Sequence, residues 1–437
     1  MNDKEMTNAL PLRWSRIDRR WSRREHTFLH RDMVLSSFND PSGKELQVLK
    51  NLTPRQWQKL LHWLDTSGLA LYFLDRLSEL NAIEILPLAI HSRLEKNLAD
   101  NTQRMEQIIT EFLAIQKSLL SADISFAILK GFSLWPHSVP RLELRSQLDL
   151  DFLIKQDHAT QAREILEARG YSLHAISGDT WEFKADPGRI KSIKDLYKPG
   201  LSRTIELHIE PRTANSAEYN SRLSQLRKVM FRGYPMPVLS PIDLFIGQGL
   251  HLYKHICSEF SRTAHVVEFR RHIVERYHDH EFWRALQANL EFRPGIRLRV
   301  ALVIYLISRV TGSFAPQILT AWIAEGLPAD AILWVDRYGA RAVLASFPGS
   351  KLYLLLQQSM EVCGVISDRS IQRSLLPRSL PQRIDSAAEN ENIFARVKRH
   401  QRQLSYTFLR ARFHAVEALR YFCESYRWRH SRNGLVL

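Results

Sequence analysis

Residues 148–154, Leu148-Asp149-Leu150-Asp151-Phe152-Leu153-Ile154, read as a buried strand carrying two acids. Side chains alternate along a strand, so Asp149 and Asp151 project from the same face. Two carboxylates this close repel unless a cation or a proton relieves them. Upstream, Leu129-Lys130-Gly131-Phe132-Ser133 reads as a strand end running into a Gly/Ser turn. Downstream, Ile205-Glu206-Leu207-His208-Ile209 reads as a second strand with a third acid. A phosphate-binding turn, a carboxylate pair and a further acid point to a metal and nucleotide site.

Working outward, Phe126-Ala127-Ile128-Leu129 is a short strand, and Asp157 offers the N-cap of a helix whose face is Ala159, Ala162, Ile165 and Leu166. Gly170 is placed to stop that helix, and Tyr171-Ser172-Leu173 and Trp181-Glu182-Phe183 read as further strands. Asp186-Pro187-Gly188 and Lys198-Pro199-Gly200 mark turns. Residues 124–240 therefore form a small α/β core with a mixed sheet. Before it, Met105, Ile108, Phe112, Ile115 and Leu119 recur at helical steps within a helical region, 34–123, and Pro87 is placed to start a helix. After it, residues 241–373 are again helical, 374–392 read as a linker, and 393–437 as a basic helix. Leu409, Phe413, Val416, Leu419, Cys423 and Tyr426 line one face of that last helix. The fold class expected is α+β, a small mixed-sheet core flanked by helical regions.

The 437 residues carry 61 Lys+Arg against 46 Asp+Glu, a net charge of +15 that favours anionic partners without specifying a fold. Much of the excess lies at the termini. Residues 1–33, with Arg13-Trp14-Ser15-Arg16 and Arg19-Arg20-Trp21, read as a mobile basic arm. The basic termini could meet RNA or an acidic membrane surface; the bland reading is a solvated tail. Cys257, Cys363 and Cys423 are widely spaced, so neither a disulfide framework nor a zinc knuckle is indicated. With no apolar leader and no apolar run long enough to span a bilayer, the expected setting is cytoplasmic.

Each candidate residue has a chemical and a plain reading. Gly131 lets the backbone approach a ligand, and Ser133 would offer a hydroxyl to a phosphate. Lys130 is either a phosphate cation or a solvated strand-end lysine. Asp149 and Asp151 could hold Mg²⁺ or Mn²⁺, which prefer oxygen ligands shared with substrate phosphates. Glu206 would complete the metal site or accept a proton, and His208 on the same face would orient it or contact phosphate. Arg145, with Arg141 as a weaker candidate, could clamp a triphosphate. His251 and His255 are four apart on a predicted helix, a spacing that can chelate a metal. No Glu-bearing zincin pattern surrounds them, and helix packing is the favoured reading.

Taken in order, Leu129-Lys130-Gly131, Arg145, Asp149-Leu150-Asp151-Phe152-Leu153, Gly170-Tyr171 and Glu206-Leu207-His208 resemble the bacterial uncharacterised nucleotidyltransferase family, within the superfamily that includes DNA polymerase beta. The resemblance covers roughly residues 50–310. It implies Mg²⁺-dependent transfer of a nucleoside monophosphate from an NTP to an acceptor hydroxyl on a sugar, small metabolite, protein or RNA. It assigns Asp149, Asp151 and Glu206 to the metal, and Lys130, Gly131, Ser133, Arg145 and His208 to the nucleotide. Two features depart from the wider pattern: a long gap from Gly131 to Asp149, and Glu206 where Asp is common. The alternative is a catalytically inactive nucleotide-binding or RNA- or partner-binding protein on the same fold.

Overall fold

A computed structural model describes residues 22–39, 44–185, 195–200, 204–211, 221–366, 370–377 and 392–433. The sheet comprises β1 (Phe126–Leu129), β2 (Asp149–Lys155), β3 (Ser172–Ser177), β4 (Thr180–Lys184), β5 (Thr204–Glu210), β6 (Arg227–Phe231) and β7 (Tyr234–Val238). Their order is β3-β4-β5-β2-β1-β7-β6. β2 runs parallel to β5 and antiparallel to β1, which makes the sheet mixed as expected. The β6–β7 hairpin turns through Arg232 and Gly233, at φ 50° and 83°. Two successive positive φ values are what a two-residue turn needs to match strand twist.

The helices up to residue 311 are α1 (Ser22–Ser36), α2 (Pro54–Ser67), α3 (Ala70–Glu79), α4 (Leu88–Ser121), α5 (Ala159–Ala168), α6 (Pro241–Ile256), α7 (Ala264–Glu275), α8 (His280–Glu291) and α9 (Pro294–Thr311). Their ends reflect local chemistry. Thr53 and Gln56 form a reciprocal capping box at the start of α2, and Gly68 closes it at φ 76°. Ser240 Oγ accepts from the Asp243 amide, and Pro241 pre-sets the first turn of α6. Gly170, at φ 86°, lies just past the end of α5. The cap of α5 differs from expectation: a short turn over Gln156–His158 precedes the helix, so the cap position falls on His158 instead of Asp157.

Alternation assigns the two faces of the sheet. Leu150, Phe152, Ile154, Ile205 and Leu207 point toward α4 and α5, where they meet Met105, Ile108, Phe112, Ile115 and Leu119. Phe112 is fully buried, with its ring centroid 4.7 Å from Phe132 and 6.1 Å from both Phe152 and Phe231. The opposite face carries Asp149, Asp151, Glu206 and His208, and a small apolar cluster of Ala127, Leu153, Leu223 and Leu239. A larger core fills the helical regions on both sides in sequence, burying Trp57, Trp63, Trp283 and Trp334.

Polar contacts join sheet and helices. Asn101 Nδ2 donates to the carbonyls of Glu143 and Arg145, and Arg104 Nη2 to that of Gln147. Arg262 Nη2 donates to the Ser146 carbonyl at 2.8 Å. The segment leading into β2 is thus held from two sides. Gln248 Oε1 accepts from both Ser138 and His272 Nδ1, while Arg276 donates to His272 Nε2.

Three peripheral expectations differ in part. Residues 22–33, read as arm, lie in α1, where Arg31 donates to the Leu344 carbonyl at 2.7 Å; residues 1–21 are outside the described residues. The linker reading falls mostly on 378–391, also outside them, and Ser374 and Leu375 close a short helix, Ile371–Leu375. The last helix, Ile393–Asn433, packs through Glu417, Ala418, Tyr421, Ser425 and Trp428, so Leu409, Val416, Leu419 and Tyr426 face outward. Periodicity locates an apolar stripe but not which side a neighbour covers. Among the described residues no single helix is long and apolar enough to cross a membrane.

This packing can be tested at two buried rings. Phe112→Ala empties the centre of the aromatic cluster and should cost about 3–5 kcal/mol, read as a lower urea midpoint; a loss under ~1 kcal/mol would contradict the packing described. Burial, aided by the Arg276 charge, pushes the His272 imidazole down to about 3. The unfolded chain protonates this ring near pH ~6.5, so stability drains as pH falls through that window. His272→Gln should flatten the dependence of the urea midpoint on pH there, and an unaltered slope would refute it.

Candidate active site

The site is built on adjacent ends of β1, β2 and β5. Asp151 stands opposite Leu129 of β1 and opposite Glu206 of β5. In-register neighbours on a sheet project to the same face, so Asp151 and Glu206 meet side by side, with Asp149 and His208 each two residues along. Lys130, the residue after β1, completes the row. Its Nζ lies 2.6 Å from Asp151 Oδ1 and 3.5 Å from Glu206 Oε2. His208 Nε2 is 2.9 Å from Asp151 Oδ1 and 3.3 Å from Glu206 Oε2, and its Nδ1 is 3.3 Å from Thr180 Oγ1. Asp151, Glu206 and His208 bring ligand-capable atoms within 4.8 Å of one another.

Electrostatics explain why the cluster holds. Burial pushes the Asp151 carboxyl up, and Asp149 adds to this, against His208 and Lys130. Glu206 is pulled down to about 2, chiefly by its hydrogen bond with His208 and, against burial, by Lys130. Burial works against charge on Lys130 and on His208, but the neighbouring carboxylates outweigh it and both groups hold their protons more tightly than usual. Lys130 and His208 thus face three acids. Asp149 is left over: its carboxylate makes no hydrogen bond or ion pair among the described residues. Lys130, Glu206 and His208 keep 29%, 27% and 24% of their side-chain surface exposed, so the cluster opens to solvent.

The glycine turn is shaped by Gln147, a residue with no local motif to single it out. Gly131, at φ 36°, lies so close to the Gln147 side chain that an added Cβ would collide with its amide group. Gln147 in turn donates to the Asp149 carbonyl at 2.9 Å. Gly131 is therefore needed for close approach within the protein, which braces the turn against β2. The chain then makes a single four-residue turn, Gly131–Leu134, instead of a longer helix. Both the Ser133 amide and its hydroxyl donate to the Lys130 carbonyl, each at 2.8 Å, so Ser133 closes the turn. The cavity of about 150 Å³ beside Ser133, lined by Trp135, His137, Leu244 and Arg276 among others, contains none of the acids.

Arg145 is brought somewhere else. It is buried, with Nε 3.1 Å from Glu268 Oε1 and Nη1 3.3 Å from Gln147 Oε1. Tyr72 donates to the same Glu268 oxygen at 3.0 Å, and His265 Nδ1 lies 3.1 Å from the other. Arg145 thus ties the start of β2 to α3 and α7 through Glu268. Arg141 is exposed and paired with Asp75 and Glu143. Glu268 and Gln147 carry no local sequence signal; only the fold brings them here.

For Mg²⁺, the fit divides along the same line. Asp151 Oδ1 and Glu206 Oε2 already receive Lys130 and His208, whereas Asp149 is uncommitted among the described residues. Asp149 with Asp151 suits a cation that keeps several waters and takes other ligands from phosphates. Glu268→Ala would leave Arg145 buried without its partner and should cost about 3–5 kcal/mol, measured by urea unfolding; a loss below ~1 kcal/mol would show the pair does not hold sheet to helices.

The family model described as "Uncharacterised nucleotidyltransferase" matches residues 53–312. A solved structure, an antigenic nucleotidyltransferase-like protein from Paracoccidioides brasiliensis, is similar at 16% identity and a TM-score of 0.29, covering 51% of this chain and 98% of its own. No curated protein matches.

Proposed function

Because the chain belongs to the uncharacterised nucleotidyltransferase family, we propose that it transfers a nucleoside monophosphate from an NTP to an acceptor hydroxyl, with Mg²⁺ or Mn²⁺ held by Asp149 and Asp151. The observation that carries this reading is the solvent-open row of Lys130, just after β1, with Asp151 and Glu206 on β2 and β5, beside Asp149, which has no ion pair among the described residues. Bound there, the metal would neutralise phosphate charge.

The residues supply the rest. The acceptor oxygen bonds to the α-phosphorus, the bond to the β-phosphate oxygen breaks, and pyrophosphate leaves with the electron pair. Lys130 serves as counter-ion to Asp151 and Glu206 until a triphosphate offers it a stronger anion. Its shift to phosphate oxygen would relieve Glu206 of one cation that holds its carboxyl near 2. Glu206 then becomes the better acceptor for the proton leaving the attacking hydroxyl, with His208 orienting it. The acceptor is a sugar, small metabolite, protein or RNA hydroxyl.

Nucleotide binding tests this without knowledge of the acceptor. In the presence of Mn²⁺, Asp149→Asn/Asp151→Asn should weaken NTP binding by about tenfold or more, ~1.4 kcal/mol. Equal binding by the double variant would overturn the assignment. Pyrophosphate release by the wild type, lost in Asp151→Asn, supports transfer; NTP binding with no release under any acceptor supplied would identify a nucleotide-binding protein instead.

A further inference from the structure

A second cluster lies outside the acidic row. His251 and His255 occupy successive turns of α6, and His265 sits in the first turn of α7. Their ring centroids are 4.6 Å apart for His251 and His255, and 4.9 Å from each of these to His265. One ligand nitrogen from each lies within 4.8 Å of the other two.

The partners of His255 and His265 fix their tautomers. His255 Nδ1 is 2.9 Å from the Phe260 carbonyl oxygen, which can only accept. His265 Nδ1 is 3.1 Å from Glu268 Oε2, a carboxylate pulled down to about 2 against burial by Arg145 and His265. Both Nδ1 atoms therefore carry the hydrogen. In neutral rings, this leaves both Nε2 atoms as lone-pair donors, and burial lowers the proton affinity of all three imidazoles. His251 Nε2 lies 3.2 Å from His255 Nε2 and can satisfy one lone pair. No donor reaches His265 Nε2 among the described residues.

We propose that His251, His255 and His265 form a three-imidazole site for Zn²⁺ or a similar d-block cation, distinct from the acidic cluster. Neutral nitrogen donors select such ions over Mg²⁺. Zinc bonds to histidine nitrogen of about 2.0–2.1 Å place tetrahedral ligands roughly 3.3 Å apart, close to the separation already present between His251 and His255. Glu268 accepting from His265 and the Phe260 carbonyl accepting from His255 are the outer contacts that hold metal-bound imidazoles in orientation. Through Glu268 the site is joined to Arg145, and the Lys130 and Arg145 charges act on His251, so it adjoins the acidic row. The inference does not rest on nucleotide transfer.

Cobalt reports on the site directly. The full chain, stripped with a chelator and titrated with Co²⁺, should bind one equivalent with intense visible d–d bands of a four-coordinate site, three imidazole nitrogens and one solvent ligand. Asp151→Asn should leave those bands unchanged. His255→Gln and His265→Gln, checked for folding by circular dichroism, should each weaken Co²⁺ binding about tenfold or more. Cobalt-edge X-ray absorption of the wild type needs no variant and should show about three imidazole nitrogens. Absence of a stoichiometric Co²⁺ site, an all-oxygen shell, or bands that survive in a folded His265→Gln protein would overturn the proposal. Failure of nucleotide binding with the cobalt bands intact would count only against the transfer reading.

Discussion

One ammonium group holds this site together. The parallel register of β2 on β5 sets Asp151 directly beside Glu206, about one strand spacing apart. Two carboxylates at that separation, one of them almost wholly buried, need a cation or a proton to relieve them, and here Lys130 supplies the cation. Lys130 arrives from the strand on the opposite side of β2, so the order β1-β2-β5 lays cation, acid and acid in a row. His208 adds a second N–H to the same oxygens. Lys130 and His208 thus balance Asp151 and Glu206, while the Asp149 carboxylate makes no ion pair among the described residues.

Much of the surrounding structure fixes that row. Gly131 yields its side-chain space to Gln147, which braces the start of β2. Asn101, Arg104 and Arg262 grip the preceding segment through its carbonyls. Arg145 and Glu268 then anchor it to the helices. A buried ion pair contributes little net stability compared with a well-packed apolar contact, but it specifies geometry, because each partner is costly without the other. Glu268 serves Arg145, Tyr72 and His265 at once, so the acidic row and the histidine cluster share one rigid support.

The sequence alone determined the local chemistry. Period-two alternation around Asp149 and Asp151 fixed a strand with both acids on one face, helical steps from Met105 to Leu119 fixed the face that covers the sheet, and Gly170 fixed a helix end. The ordered motifs also resembled the family that the match over residues 53–312 establishes. These features are legible because they depend on neighbours within a few residues.

Only the tertiary structure decided partnership. Arg145 and Lys130 are both basic residues near the acids, and nothing local says that one turns inward to Glu268 while the other bridges Asp151 and Glu206. His251 and His255 share a helix face, but the third imidazole comes from a different helix. In the last helix the apolar stripe is real, yet the neighbouring helices cover another side. Charge pairing and burial are set by what lies across space, and residues far apart in the chain carry no mark of whom they will meet.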